Sequence, residues 1–161
     1  MAAAPTDVWR RARDIDFTVQ KEPWGTCEVD RDVVIRSRAV LLKLQKIPGE
    51  PGQPTGILPN VAPLLAVDAP SKVRKVPTDP QPTNEQVAAA EKIEVEFRSL
   101  EEPWSVYEFD DGGPKLIRVK LVVAGVSRVA DMYDMFGVPI YQVNHTTVVA
   151  PPVPRKAYSG R

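Results

Sequence analysis

The sequence predicts a mainly β protein, a tandem duplication of a four-strand unit forming a pseudo-twofold barrel or sandwich with one or two short helices. Three observations predict it. The stretch EPWSVYEFDDGGPKLIRVKLVVAGVSRV, Glu102 to Val129, has an earlier counterpart in EPWGTCEVDRDVVIRSRAVLLKLQKI, Glu22 to Ile47. Apolar and polar residues alternate through much of both stretches, the pattern of strands with one covered face. The alternation also changes sense within the longest runs: Arg36 and Arg38 share a parity with Val40, Leu42 and Leu44, and Arg118 and Lys120 share one with Val122, Ala124 and Val126. A face that starts wet and ends buried needs a long strand that bends or carries a bulge.

The repeat can be followed through most of the chain. Glu22-Pro23-Trp24 matches Glu102-Pro103-Trp104, and Glu28 and Asp30 match Glu108 and Asp110. With Gly112-Gly113 read as an insertion, Arg36 and Arg38 match Arg118 and Lys120, and upstream Phe17 falls opposite Phe97. Downstream, the alignment sets Gly56 against Gly137, Val67 against Val148 and Ala69-Pro70 against Ala150-Pro151, which leaves Leu64 opposite His145. Residues 1–75 and 83–156 are then two repeats, joined by a Pro/Lys linker at 76–82 and followed by a tail at 157–161. One such unit is close to the lower limit of independent stability, so the two are expected to share a core.

Each element has a local reason. Thr6-Asp7 could cap a short helical turn, and Ile15, Phe17 and Val19 alternate as a strand. Cys27 and Val29 continue on one face to a turn at Asp30-Arg31-Asp32, and Val33 to Ile47 is too β-branched for a helix. Pro48 to Thr55 is a loop, and Pro59 and Pro63 confine the apolar segment Ile57 to Val67 to a sheet edge or an irregular path. In the second repeat Thr83-Asn84-Glu85-Gln86 caps a short helix over the following alanines. Ile93, Val95 and Phe97 alternate, and Asp110-Asp111-Gly112-Gly113 is a turn whose glycines accept positive φ. The long strand from Lys115 follows, then one helical turn at Asp131–Phe136 ended by Gly137, then a strand from about Ile140 to Val149.

Composition removes several functions. Lys plus Arg equals Asp plus Glu at 21 each, so no bulk charge draws the chain to nucleic acid or an anionic membrane. The one cysteine excludes an internal disulfide and a multi-cysteine zinc site. The N-terminal residues lack the apolar core of a secretory signal, and no apolar run approaches the roughly 20 residues of a membrane-spanning helix. A cytoplasmic protein without membrane insertion is expected, and sparse Asn and Gln with proline-rich loops point toward a heat-adapted source.

No pair of catalytic residue types, phosphate-cradling loop or dinucleotide fingerprint occurs, so no cofactor and no metal are expected. The acidic residues Asp110, Asp111, Asp131 and Asp134 lack the spacing of a calcium loop. The favoured reading is a non-catalytic accessory or structural subunit that contacts protein partners, or copies of itself, through its Pro-rich arms and the Met132–Phe136 loop. There Met132, Met135 and Phe136 share one side of a helical turn, with Tyr133 beside them. A nucleic-acid-binding barrel would use Arg36, Arg38, Arg118 and Lys120 as two basic stripes, with Tyr107 and Tyr141 nearby. An enzyme or ligand-binding site would have to assemble Tyr107, Asp110 and His145, the single histidine, in the second repeat.

Overall fold

The computed structural model describes residues 10–49, 51–52 and 55–158. The helical turn expected at Thr6-Asp7, part of the 48–55 loop and the last three residues of the tail lie outside them. The protein is mainly β, as the alternation predicts. In the first half the strands are β1 (Arg13–Asp14), β2 (Phe17–Lys21), β3 (Gly25–Val29), β4 (Val33–Ile47) and β5 (Gly56–Asp68). In the second they are β6 (Lys92–Val95), β7 (Phe97–Glu101), β8 (Ser105–Asp110), β9 (Pro114–Tyr133) and β10 (Pro139–Pro154), preceded by the helix α1 (Asn84–Ala89). Each half therefore contributes five strands rather than four. Among the described residues no helix is long and apolar enough to cross a membrane.

The strands form two five-stranded antiparallel sheets, and each sheet borrows a strand from the other half. In one, β4 is flanked by β5 on one side and by β1 and β3 on the other, and β7 closes on β3. In the other, β9 is flanked by β10 and by β6 and β8, and β2 closes on β8. The registers correspond residue for residue. Phe17 pairs with Phe109 as Phe97 pairs with Val29, and Gly25 pairs with Ser37 as Ser105 pairs with Val119.

The long strands carry the bulge that their patterning requires. In β4 it falls between Leu41 and Lys43, and in β9 the corresponding shift falls at Asn144/His145, opposite Val123 and Gly125. Before it, Val33, Ile35, Ala39 and Leu41, with Ile117, Val119, Leu121 and Val123, face the core; after it, Leu44 and Val126 do. The change of sense comes later than the sequence pattern suggests. Leu42 is 58 % exposed and Ala124 is also exposed, because an extra residue must loop outward before the opposite parity can turn in.

The pairings also revise the downstream alignment by three residues. Ala66 pairs with Arg36 as Ala150 pairs with Arg118, so Ala150 takes the place of Ala66 and not of Ala69. His145, opposite Val123, corresponds to Val61, opposite Leu41, and not to Leu64. Residues from both halves build one buried cluster, including Cys27, Ile35, Leu44, Tyr107, Ile117 and Val126. The helix α1 starts after the expected capping residue, and the structure completes a capping box there, with Thr83 and Gln86 satisfying each other's backbone N–H groups.

Where β7 crosses β3, backbones approach closely. A Cβ on Gly25 would fall 2.8 Å from the Glu101 carbonyl oxygen, whereas the corresponding position on β8 holds Ser105, whose hydroxyl donates to the Ala39 carbonyl at 2.9 Å. Gly25→Ala should therefore push β7 off its neighbour and lower the unfolding free energy by about 1–3 kcal/mol. Ser105→Ala, which removes one buried hydrogen bond, should cost about 1 kcal/mol. Urea denaturation of both variants checks this; equal stability of Gly25→Ala and the parent would show that β7 is not held as described.

Candidate functional site

Three groups of side chains stand out from the scaffold. The first is the Met132–Phe136 segment, which forms the tip of the β9–β10 hairpin and not a helical turn. The Asp134 N–H donates to Val138 at 2.8 Å, and the Gly137 N–H donates to Asp134 at 3.0 Å. The Asp134 carboxylate accepts from the N–H groups of Phe136 (2.8 Å) and Val138 (3.0 Å). A short acidic side chain that captures backbone donors in this way competes with helix and closes a turn.

Gly137 has φ +77°, and a Cβ there would strike the Lys75 carbonyl. The segment 75–78 braces the tip from one side. The Lys75 N–H donates to Gly137, Thr78 exchanges hydrogen bonds with the backbone of Tyr133, and the Lys75 ammonium lies 5.7 Å from the Tyr133 ring centre. Met132 and Tyr133 are half-buried against this brace, while Met135 and Phe136 project with 66 % and 73 % of their surface exposed. The four residues thus share one hairpin end, but only two of them point outward.

The second group joins the residues of both basic stripes to tryptophans. Arg36 and Arg38 lie over Trp24, at 5.1 and 5.4 Å from a ring centre. Arg118 and Lys120 lie over Trp104 at 5.3 and 4.8 Å, and Arg118 also faces Tyr158 at 5.6 Å. The indole face attracts a cation, by about 0.5–1 kcal/mol at exposed sites. The two clusters differ in charge balance. Arg36 pairs with Asp68 at 2.7 Å and Arg38 with Glu22 at 3.3 Å, so the first is internally neutralised. Among the described residues no carboxylate lies within ion-pair distance of Arg118 or Lys120. Sequence reasoning named all four cations but missed both tryptophans.

The third group centres on Tyr107, which is fully buried. Its hydroxyl donates to Glu22 at 2.6 Å and accepts from the Leu41 N–H at 3.0 Å, linking β8 of one sheet to β4 of the other. Its ring meets Phe17 edge-on at 5.6 Å. Burial, and then the hydrogen bond to the Glu22 carboxylate, push its pKa up to about 12. Asp110 and His145 do not join it. On β9, Tyr107 pairs with Ile117, Asp110 with Pro114 and His145 with Val123, which separates Tyr107 from His145 by roughly 20 Å of strand at about 3.3 Å per residue. Tyr141 pairs with Arg128, far along β9 from Arg118. Of the acidic residues, Asp111 pairs with Lys46 and Lys115, and Asp134 closes its turn. Cys27, the counterpart of Tyr107, is buried, and burial raises its pKa.

No protein-family model, curated protein or solved structure matches this chain. Its own geometry is therefore what bears on function.

Tyr107→Phe keeps the ring but leaves the Leu41 N–H and the Glu22 carboxylate without their shared partner, and should lower stability by about 1–3 kcal/mol near neutral pH. The pH dependence has a definite sign. A tyrosine in the unfolded chain ionises near pH 10, below the folded value of about 12, so the unfolded state sheds its proton first. The stability that this group contributes is complete below about pH 10 and is lost as pH rises toward about 12. Denaturant titrations across that window should show a shallower alkaline loss in Tyr107→Phe than in the parent; parallel curves would contradict the assignment.

Proposed function

We propose that the protein is a non-catalytic accessory or structural subunit that binds a protein partner through the tip of the β9–β10 hairpin. One observation carries this reading: Met135 and Phe136 stand exposed on a turn held rigid from within by Asp134 and from the side by the segment 75–78. Two large apolar side chains in water at the end of a braced hairpin add nothing to the fold's own core. Held in one geometry before contact, they lose little further freedom on docking. Met and Phe are also residue types enriched in the centres of protein interfaces.

The other readings receive less support. Two of the four cations of the nucleic-acid reading are already neutralised by Asp68 and Glu22, and the residues of the enzyme reading lie on β8 and β10, opposite positions spread along β9. A cytoplasmic compartment belongs to the same proposal, since the single buried cysteine requires no oxidising environment.

The double substitution Met135→Ser and Phe136→Ser tests the proposal. Because both side chains are exposed, it should change stability by no more than about 0.5 kcal/mol. The native protein should associate with a partner in light scattering and native pull-down, and the double variant should lose that association. A native protein that is an isolated monomer in both measurements, or a double variant that keeps the same partners, would overturn it.

A further inference from the structure

The two Trp–cation clusters sit at corresponding places in the two halves, and one shows what the other can take. In the first, the cations over Trp24 are met by two carboxylates of the chain itself, Glu22 and Asp68. In the second, the strand that corresponds to β5 offers Pro152 and Val153 where β5 offers Asp68. Glu102 matches Glu22, yet it makes no ion pair with Lys120. The reason lies next door. Glu22 is pinned by the Tyr107 hydroxyl at 2.6 Å, and the residue corresponding to Tyr107 is Cys27, which is too short to hold Glu102 in the same way.

We propose that the Trp104 cluster is a docking site for an acidic peptide segment of a partner protein, which supplies in trans the carboxylates that Glu22 and Asp68 supply in cis. The surroundings fit a chain segment. Tyr158, stacked on Arg118, also lines a cleft of about 340 Å³ with Gln20, Lys21, Val106, Leu116 and Arg155. Its floor is apolar, from Val106 and Leu116, while Lys21 and Arg155 bring positive charge, the latter tied to Glu108 at 2.9 Å. An acidic residue over Arg118 and Lys120 with an apolar neighbour in the cleft would satisfy both surfaces. Arg118 and Lys120 enter near the start of β9 and the hairpin tip closes its far end, so this contact is separate from the one proposed above.

Fluorescence anisotropy with the full chain and a labelled oligo-glutamate peptide tests the assignment. Binding should saturate, and should weaken by about tenfold between about 0.05 and about 0.3 M salt, as contacts between exposed charges do. Lys120→Glu, which places a carboxylate inside the cluster, should weaken it by about tenfold or more, with Lys120→Gln following in the same direction as the gentler change. Arg36→Gln, in the cluster already neutralised, should leave it within about twofold. The Met135→Ser, Phe136→Ser variant should bind the peptide unchanged. Absence of saturable peptide binding, or binding indifferent to both Lys120 variants, overturns the proposal. So does tighter binding of oligothymidylate through the same residues, which would make the site a phosphate-backbone contact.

Discussion

Everything in this fold depends on each half of the chain giving its second strand to the other half's sheet. Without β7, β3 would be an unpaired edge, and without β2, β8 would be one; with them, main-chain pairing joins each half of the chain to the other half's sheet. Main-chain pairing between residues on opposite sides of the linker makes the halves interdependent, so they should unfold as one unit rather than as two. The exchange also moves the exposed edges to strands suited to be edges. The two outer hairpin strands, β5 and β10, carry Pro59, Pro63, Pro151, Pro152 and Pro154, which cannot donate to an incoming strand. On the opposite side the borrowed strands are short and bulged, with mostly polar residues outward.

On so regular a frame, single differences have clear consequences. Tyr107 and Cys27 occupy corresponding places, and only the tyrosine is long enough to reach the other sheet. It satisfies the Leu41 N–H at the approach to the β4 bulge and fixes Glu22, which in turn meets Arg38. The cysteine does none of this, and among the described residues no carboxylate pairs with Arg118 or Lys120. One side chain in the core therefore helps to position the carboxylate that meets Arg38, while Asp68, which has no acidic counterpart on β10, meets Arg36. Both halves reach the same backbone register in spite of this divergence.

The parts of this architecture that the sequence showed are those with strong local causes. Alternation gave the strands, Asp110–Gly113 gave its turn, Thr83 and Gln86 gave α1, and the parity change gave the bulges. Glu-Pro-Trp and the Arg-x-Arg/Lys pairs are dense anchors, and the halves correspond in register wherever the alignment rested on them. Downstream it rested on Gly and Ala-Pro, which are common in any proline-rich segment, and there it slipped by three residues. The hairpin tip was misread for a different reason. The spacing of Met132, Met135 and Phe136 suits a helix, but the Asp134 carboxylate and the flanking strand pairing outweigh so short a preference.

The tryptophans were legible in principle. A hairpin turning at Asp30–Asp32 pairs Gly25 with Ser37, which puts Trp24 next to Arg38 and on the same face as Arg36; a turn at Asp111–Gly113 does the same for Trp104, Lys120 and Arg118. Residues of equal parity on facing strands meet whatever their distance in the chain. Counting outward from the turns, instead of along each strand alone, would have joined the most distinctive motif of each half to its most distinctive charges. It would also have shown that the aromatic partners of those charges are the tryptophans of Glu-Pro-Trp, and not Tyr107, which the same count sends to the opposite, buried face.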